Sequence, residues 1–200
     1  MYITILGIML RYDMKLRSVI AIMMVAFLSA SLSFAENHKG GGNRWVLNLV
    51  GSDDMYVAMV PDIDGDGYED EAFCFDVDLI NGKNRQVVGT ATDCLSNIEP
   101  GSEGGLQLVG TTYFNLPQGT LVTRGVTSVQ PVNQPTVTPD GVPISHITGA
   151  SSDGNAVLWG TGRFEGLQGT SRLSGMVDLT NFDGVGTPIV FDCLFVVDLE

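Results

Sequence analysis

Apolar and polar residues alternate in short runs along most of this chain, with turn-forming residues between the runs. Phe73, Phe75, Val77 and Leu79 fall on one phase of the alternation, and Cys74, Asp76 and Asp78 on the other. A period of two places successive side chains on opposite faces of a strand, one apolar and one wetter. No segment beyond the N-terminal region carries a comparable helical period. Asn81-Gly82, Asp140-Gly141, Asp153-Gly154 and Asp183-Gly184 are turn dipeptides. Between such signals the pattern predicts strands over 44–50, 55–60, 71–79, 86–95, 105–114, 119–130, 144–149, 155–160, 169–180 and 188–198. Many short strands at this spacing indicate an all-β sandwich or barrel. Pro131 to Pro143 holds four prolines, which cannot donate to a ladder, so this segment is no central strand. It reads as a long exposed loop, either a lid at a barrel mouth or a plain connection.

The N-terminus has a different character. Met14-Lys15-Leu16-Arg17 is basic, Val19 to Phe27 is apolar, and small residues lead to Ser33-Phe34-Ala35. That order predicts a signal peptide over residues 1–35, with Met14 as the start and cleavage after Ala35. The apolar run is shorter than the roughly 20 residues of a spanning helix, which disfavours a retained anchor. The expectation is a secreted or periplasmic protein without a membrane span in its mature form. It would comprise a glycine-rich flexible leader over 36–43 and one β-barrel domain over 44–200. Losing Arg11, Lys15 and Arg17 against Asp13 alone takes the net charge from −13 to about −15. Such a surface repels phosphate backbones and anionic lipid, which excludes nucleic acid as a natural partner, and it attracts cations. Cys74, Cys94 and Cys193 allow three alternative single bridges and always leave one thiol over. With no C-x-x-C and no Cys/His cluster, zinc, haem and iron–sulfur sites have no support.

The densest chemistry lies in Asp62-Ile63-Asp64-Gly65-Asp66-Gly67-Tyr68-Glu69-Asp70. Calcium takes six to eight hard oxygens at roughly 2.3–2.6 Å, so alternate side chains must converge on a sharply curled loop. Gly67 permits the turn, having no Cβ to clash at positive φ. The predicted ligands are Asp62, Asp64, Asp66, the Tyr68 carbonyl and Asp70. The twelfth position, a bidentate glutamate in an EF-hand, is Phe73, and residues 71–79 read as a strand rather than a helix. The loop therefore resembles the strand-flanked calcium loops of FG-GAP (integrin-type) propeller blades, although it does not recur as propeller blades do. The plain alternative is a solvated acidic turn.

A broader resemblance rests on Phe114-Asn115-Leu116-Pro117-Gln118-Gly119-Thr120-Leu121-Val122-Thr123-Arg124-Gly125, Ile144-Ser145-His146-Ile147-Thr148-Gly149 and Trp159-Gly160-Thr161-Gly162-Arg163-Phe164-Glu165-Gly166-Leu167-Gln168-Gly169-Thr170. This order is similar to that of the allene oxide cyclase and dirigent barrel superfamily. There a hairpin is followed by a G-G-T-G-x-F-x-G/A-x-x-G segment; Trp159 stands where the family usually has glycine. Val87-Val88-Gly89-Thr90-Ala91-Thr92-Asp93-Cys94 is similar to a family strand, one residue shorter. The resemblance implies a small antiparallel eight-stranded, calycin-like barrel, here with an extra N-terminal hairpin carrying the calcium loop. Phe164 would be an inward anchor and Cys94 a cavity-lining thiol. The cyclases place a glutamate and an asparagine on their first barrel strand, where this chain reads Phe73-Cys74-Phe75-Asp76-Val77-Asp78.

Asp76 and Asp78 lie about 7 Å apart on one strand face, a spacing open to acid–base work if burial raised one pKa. Outward-facing surface carboxylates are the plainer reading. His146 has no serine motif or diagnostically spaced acid to make a triad. Arg124 and Arg163 are isolated cations expected to be paired structurally. Two functions are compatible with these residues. One is a secreted barrel that binds an apolar small molecule and directs its cyclisation or coupling, an isomerase-like activity without a redox cofactor. The other is a non-catalytic, calcium-stabilised extracellular module with a structural or surface role. An interior plugged by Trp159, Phe114 and Phe191 favours the second, and an open apolar cavity the first.

Overall fold

In a computed structural model the described residues are 43–101, 105–131, 145–151 and 154–200, with positions 137, 139 and 141. The expected signal segment and leader, and most of the proline-rich segment, lie outside them. Ten strands run in order: β1 (Asn43–Asp54), β2 (Tyr56–Val60), β3 (Asp70–Asn81), β4 (Val87–Pro100), β5 (Leu106–Leu116), β6 (Gly119–Pro131), β7 (Ser145–Ala150), β8 (Val157–Gly160), β9 (Gly169–Asp178) and β10 (Pro188–Leu199). A 3₁₀ turn spans Gly162–Phe164. No α-helix occurs among the described residues, and none of them forms a helix long and apolar enough to cross a membrane.

Every pairing among these ten strands is antiparallel, and the sheet closes on itself because β1 pairs with β10 on one edge and with β3 on the other. The wall is the eight-stranded circuit β1, β3, β4, β5, β6, β7, β9, β10. Ten strands make eight wall positions because two positions are shared. β1 lies along β3 from Leu47↔Asn81 to Val50↔Asp78, and after a break at Met55 β2 continues along β3 from Tyr56↔Cys74 to Val60↔Asp70. β7 and β8 follow one another along β6 in the same way. The hairpin that carries the acidic loop therefore prolongs two barrel strands upward.

Alternation decides what fills the barrel. On β10, Ile189, Phe191, Cys193, Phe195, Val197 and Leu199 are buried while Val190, Asp192 and Leu194 are exposed. Phe75 meets Phe191 edge-on at 5.1 Å between ring centroids, and Phe114 meets Phe195 at 5.5 Å. Phe164, delivered by the 3₁₀ turn, is buried in the same core and stacks edge-on with Trp45. Gly160 and Gly162 make this delivery possible. A Cβ on Gly160 would lie 2.3 Å from the Phe164 carbonyl oxygen, and Gly162 has φ +58°.

One expectation about orientation and one about burial need correction. Trp159 is 42% exposed and stacks from outside on Tyr113, since β8 puts it on the outer phase of the wall. Phe73, in phase with the buried Phe75, is 37% exposed, because it pairs with Val57 of β2 where the wall lacks a further strand.

Candidate metal loop

Residues 61–69 join β2 to β3 and curl around their own carboxylates. Asp62 accepts the Gly65 N–H at 2.7 Å on one oxygen and the Gly67 N–H at 2.8 Å on the other. Both glycines are left-handed, at φ +85° and +89°, a conformation that a side chain would strain. Asp64 accepts the Asp66 N–H, Asp66 the Tyr68 N–H, and Asp70 the Ile63 N–H. The backbone bonds from Gly65 and then Gly67 hold the Asp62 carboxyl below the usual carboxylate range, so it stays ionised.

Of the sequence-predicted ligands, the carboxylates of Asp62, Asp64 and Asp70 come together, with oxygens within 4.8 Å of one another. Asp66 is not part of that group, its carboxylate being turned to the Tyr68 amide. Tyr68 has its ring out in solvent, leaving the carbonyl as its only candidate ligand atom. Three clustered carboxylates offer the hard anionic oxygens that calcium prefers.

The loop lies across the outside of the barrel. Cys74, Cys94, Thr111 and Arg124 stand directly opposite one another in sequence across β3, β4, β5 and β6, all on the outer phase. Cys74 and Cys94 form a disulfide, and Cys193 is the free, buried cysteine. A second small core of Val60, Ala72, Cys74 and Cys94 gathers Ala58, Ile63 and Tyr113, so the outer side of β3 is covered here, where alternation alone suggests a wetter face. Arg124 ties the loop down. Its Nη1 donates to the Asp62 carbonyl at 2.7 Å, its Nη2 to the Pro61 carbonyl, and its Nε to Thr111 Oγ1 at 3.1 Å. Burial pushes this guanidinium's pKa down, opposed by Tyr113, Asp70 and Asp62. Arg124→Ala should cost about 2 kcal/mol in urea unfolding, since it strips three acceptors of their charged donor. A loss below a few tenths would show that Arg124 does not hold the loop.

The barrel interior presents one unexpected group. Asp93 sits on the inward phase of β4 between Ala91 and Leu95 and is 3% exposed. Thr112 Oγ1 donates to it at 2.7 Å. Burial pushes the Asp93 carboxyl up to about 7, with the Thr112 bond opposing. Thr123, Thr127, Ser171 and Phe195 help to line the cavity beside it, whose volume is about 20 Å³. By that measure it holds about one water molecule. Cys193 is driven up in pKa by burial first and by the Asp93 and Asp192 charges next, so it is inert as a nucleophile.

The remaining candidates lie outside the interior. Asp76 and Asp78 are exposed on the outer face, where Asp76 accepts from Thr92 Oγ1 at 2.5 Å and Tyr56 Oη at 3.3 Å. Cys94 is held in the disulfide. His146 is exposed, with Nε2 3.3 Å from Ser174 Oγ, and Arg163 lies over the Trp45 ring at 5.8 Å. The chain matches no protein-family model and shows no significant similarity to a curated protein.

Proposed function

We propose that this protein is a secreted, non-catalytic barrel module whose acidic loop, Asp62 to Asp70, binds calcium. The carrying observation is the convergence of Asp62, Asp64 and Asp70 on a loop that Arg124 fastens to the barrel wall. Loop and barrel are thereby one unit, so a bound cation would stabilise the whole fold by linkage. Packing of the interior supports the non-catalytic half of the reading. A drug-sized ligand needs roughly 300 Å³ or more, and Phe75, Phe114, Phe191 and Phe195 occupy that space. The resemblance to cyclising barrels would demand an opening of this core before an apolar ligand could enter.

With no bidentate twelfth ligand, calcium affinity is expected on the order of 10⁻⁴–10⁻³ M. At ten times the dissociation constant the stabilisation is about 1.4 kcal/mol, a rise of roughly 3–5 °C in melting temperature. Asp64→Ala should abolish the rise, and Asp78→Ala, on the outer wall, should keep it. An unchanged melting temperature in 10 mM calcium, or an identical response of Asp64→Ala, would remove the metal from the reading.

A further inference from the structure

Among the described residues, the wall of the barrel is one strand short beside β2. Among the described residues β2 pairs with β3 alone and ends the sheet order. β10, which flanks all of β1, begins at Pro188 opposite Asp54, so it stops where β2 starts. The last backbone bonds on that side run from Met55 N–H to the Thr187 carbonyl and from Gly186 N–H to the Met55 carbonyl. Beyond them β2 offers an edge with apolar side chains around it: Val57 is 46% exposed, Met59 52% and Phe73 37%. Edge strands are normally blunted by charge, proline or a bulge. β2 is only five residues long and Pro61 ends it, but Tyr56-Val57-Ala58-Met59-Val60 itself carries no charge, proline or bulge.

Charge says what fits there. Asp53 and Asp54 precede the strand, and Asp62, Asp64 and Glu69 come after it. A second copy is a poor occupant. Antiparallel pairing of two β2 edges that sets residue 56 against 60 also sets Asp54 against Asp62, carboxylate on carboxylate whenever the loop holds no cation. We propose that the β2 edge is a strand-addition site for an extended polypeptide segment with alternating apolar residues and lysine or arginine at its ends. Backbone pairing would supply affinity, Val57, Met59 and Phe73 the apolar contact, and the flanking carboxylates the selectivity. This goes beyond the calcium reading and stands without it, since Asp53, Asp54 and Glu69 are not among the clustered carboxylates and keep their charge whether or not the loop holds a cation.

The probe is a fluorescein-labelled nine-residue peptide of alternating valine and threonine with lysine at both ends, followed by anisotropy against the full chain. Saturable binding is expected, at least tenfold tighter than for the glutamate-ended peptide and weakened by 0.5 M salt. Met59→Lys and, separately, Val57→Lys should each lose tenfold or more while keeping the wild-type circular dichroism. Val190→Lys, on the outer face of β10, should bind as wild type does. Titrations in chelator and in 10 mM calcium separate this site from the metal loop. No saturable binding, equal affinity for both peptides, or undiminished binding by both folded β2 variants would overturn the proposal. So would a wild-type dimer in sedimentation that Met59→Lys dissolves, since the edge would then serve a second copy.

Discussion

Asp93→Asn is expected to stabilise the protein at pH 8 by about 2–4 kcal/mol in urea unfolding and to leave it nearly unchanged at pH 4. The folded carboxyl is raised to about 7, against 3.8 for a free aspartate, because burial penalises its charge. A raised acid pKa means that the folded state holds a proton which the unfolded state gives up. Its contribution is therefore fully present below pH 4, declines between pH 4 and 7, and is gone above 7. The difference of about three units corresponds to about 4 kcal/mol, an upper bound because asparagine must also satisfy its amide in the same cavity. Asp62 and Asp198 work in the opposite sense, with folded pKa values lowered by backbone bonds and by Arg44 respectively, so their stabilisation fades in acid. The informative quantity is the wild-type minus variant difference across pH. A difference that does not change between pH 4 and pH 8 would mean that Asp93 keeps its ordinary titration.

Removing the disulfide as Cys74→Ala/Cys94→Ala should cost about 3 kcal/mol. The bridge joins residues separated by 20 in sequence, and closing a loop of that size restricts the unfolded chain by about this amount. It also belongs to the small outer core with Val60 and Ala72, against which Ile63 of the acidic loop packs. The double variant should thus weaken calcium binding as well as the barrel, which the calcium titration of melting temperature would read. Denatured, unreduced wild type should titrate one thiol, that of Cys193. A loss under 1 kcal/mol, or three titratable thiols, would contradict the bridge.

Strand content was legible from alternation because these strands have one apolar face. Each of the ten expected segments overlaps an observed strand, though β1 and β4 run several residues longer than turn signals suggested. That ten strands make eight wall positions was not legible. Breaks at Met55 and between Ala150 and Val157 carry no local mark separating a continued strand from a new one. The acidic loop announced itself through the spacing of Asp62, Asp64 and Asp70, whereas its position over the Cys74–Cys94 bridge depends on Arg124, far along the chain. Asp93 left a readable trace, an acid in phase with Ala91 and Leu95 on an expected strand. The pairing of cysteines was open because only cross-strand register puts Cys74 opposite Cys94.

The seam between β1 and β10 has a kinetic meaning. Other neighbours in the wall, such as β3 with β4 or β5 with β6, meet across short connections, but Asn43 faces Leu199 from the far end of the described chain. Hairpins can assemble early and locally; the ring cannot shut until β10 has been made and has found both β9 and β1. Ring closure costs nearly the whole loop entropy of the chain in one step, which places folding among the slow, non-local β topologies. Until that moment β1 and β10 are open edges whose inward rows, Leu47 and Leu49 on one and Phe191 and Phe195 on the other, lie bare. The dangerous time for this protein is thus the interval before closure, when a neighbouring chain competes with its own last strand.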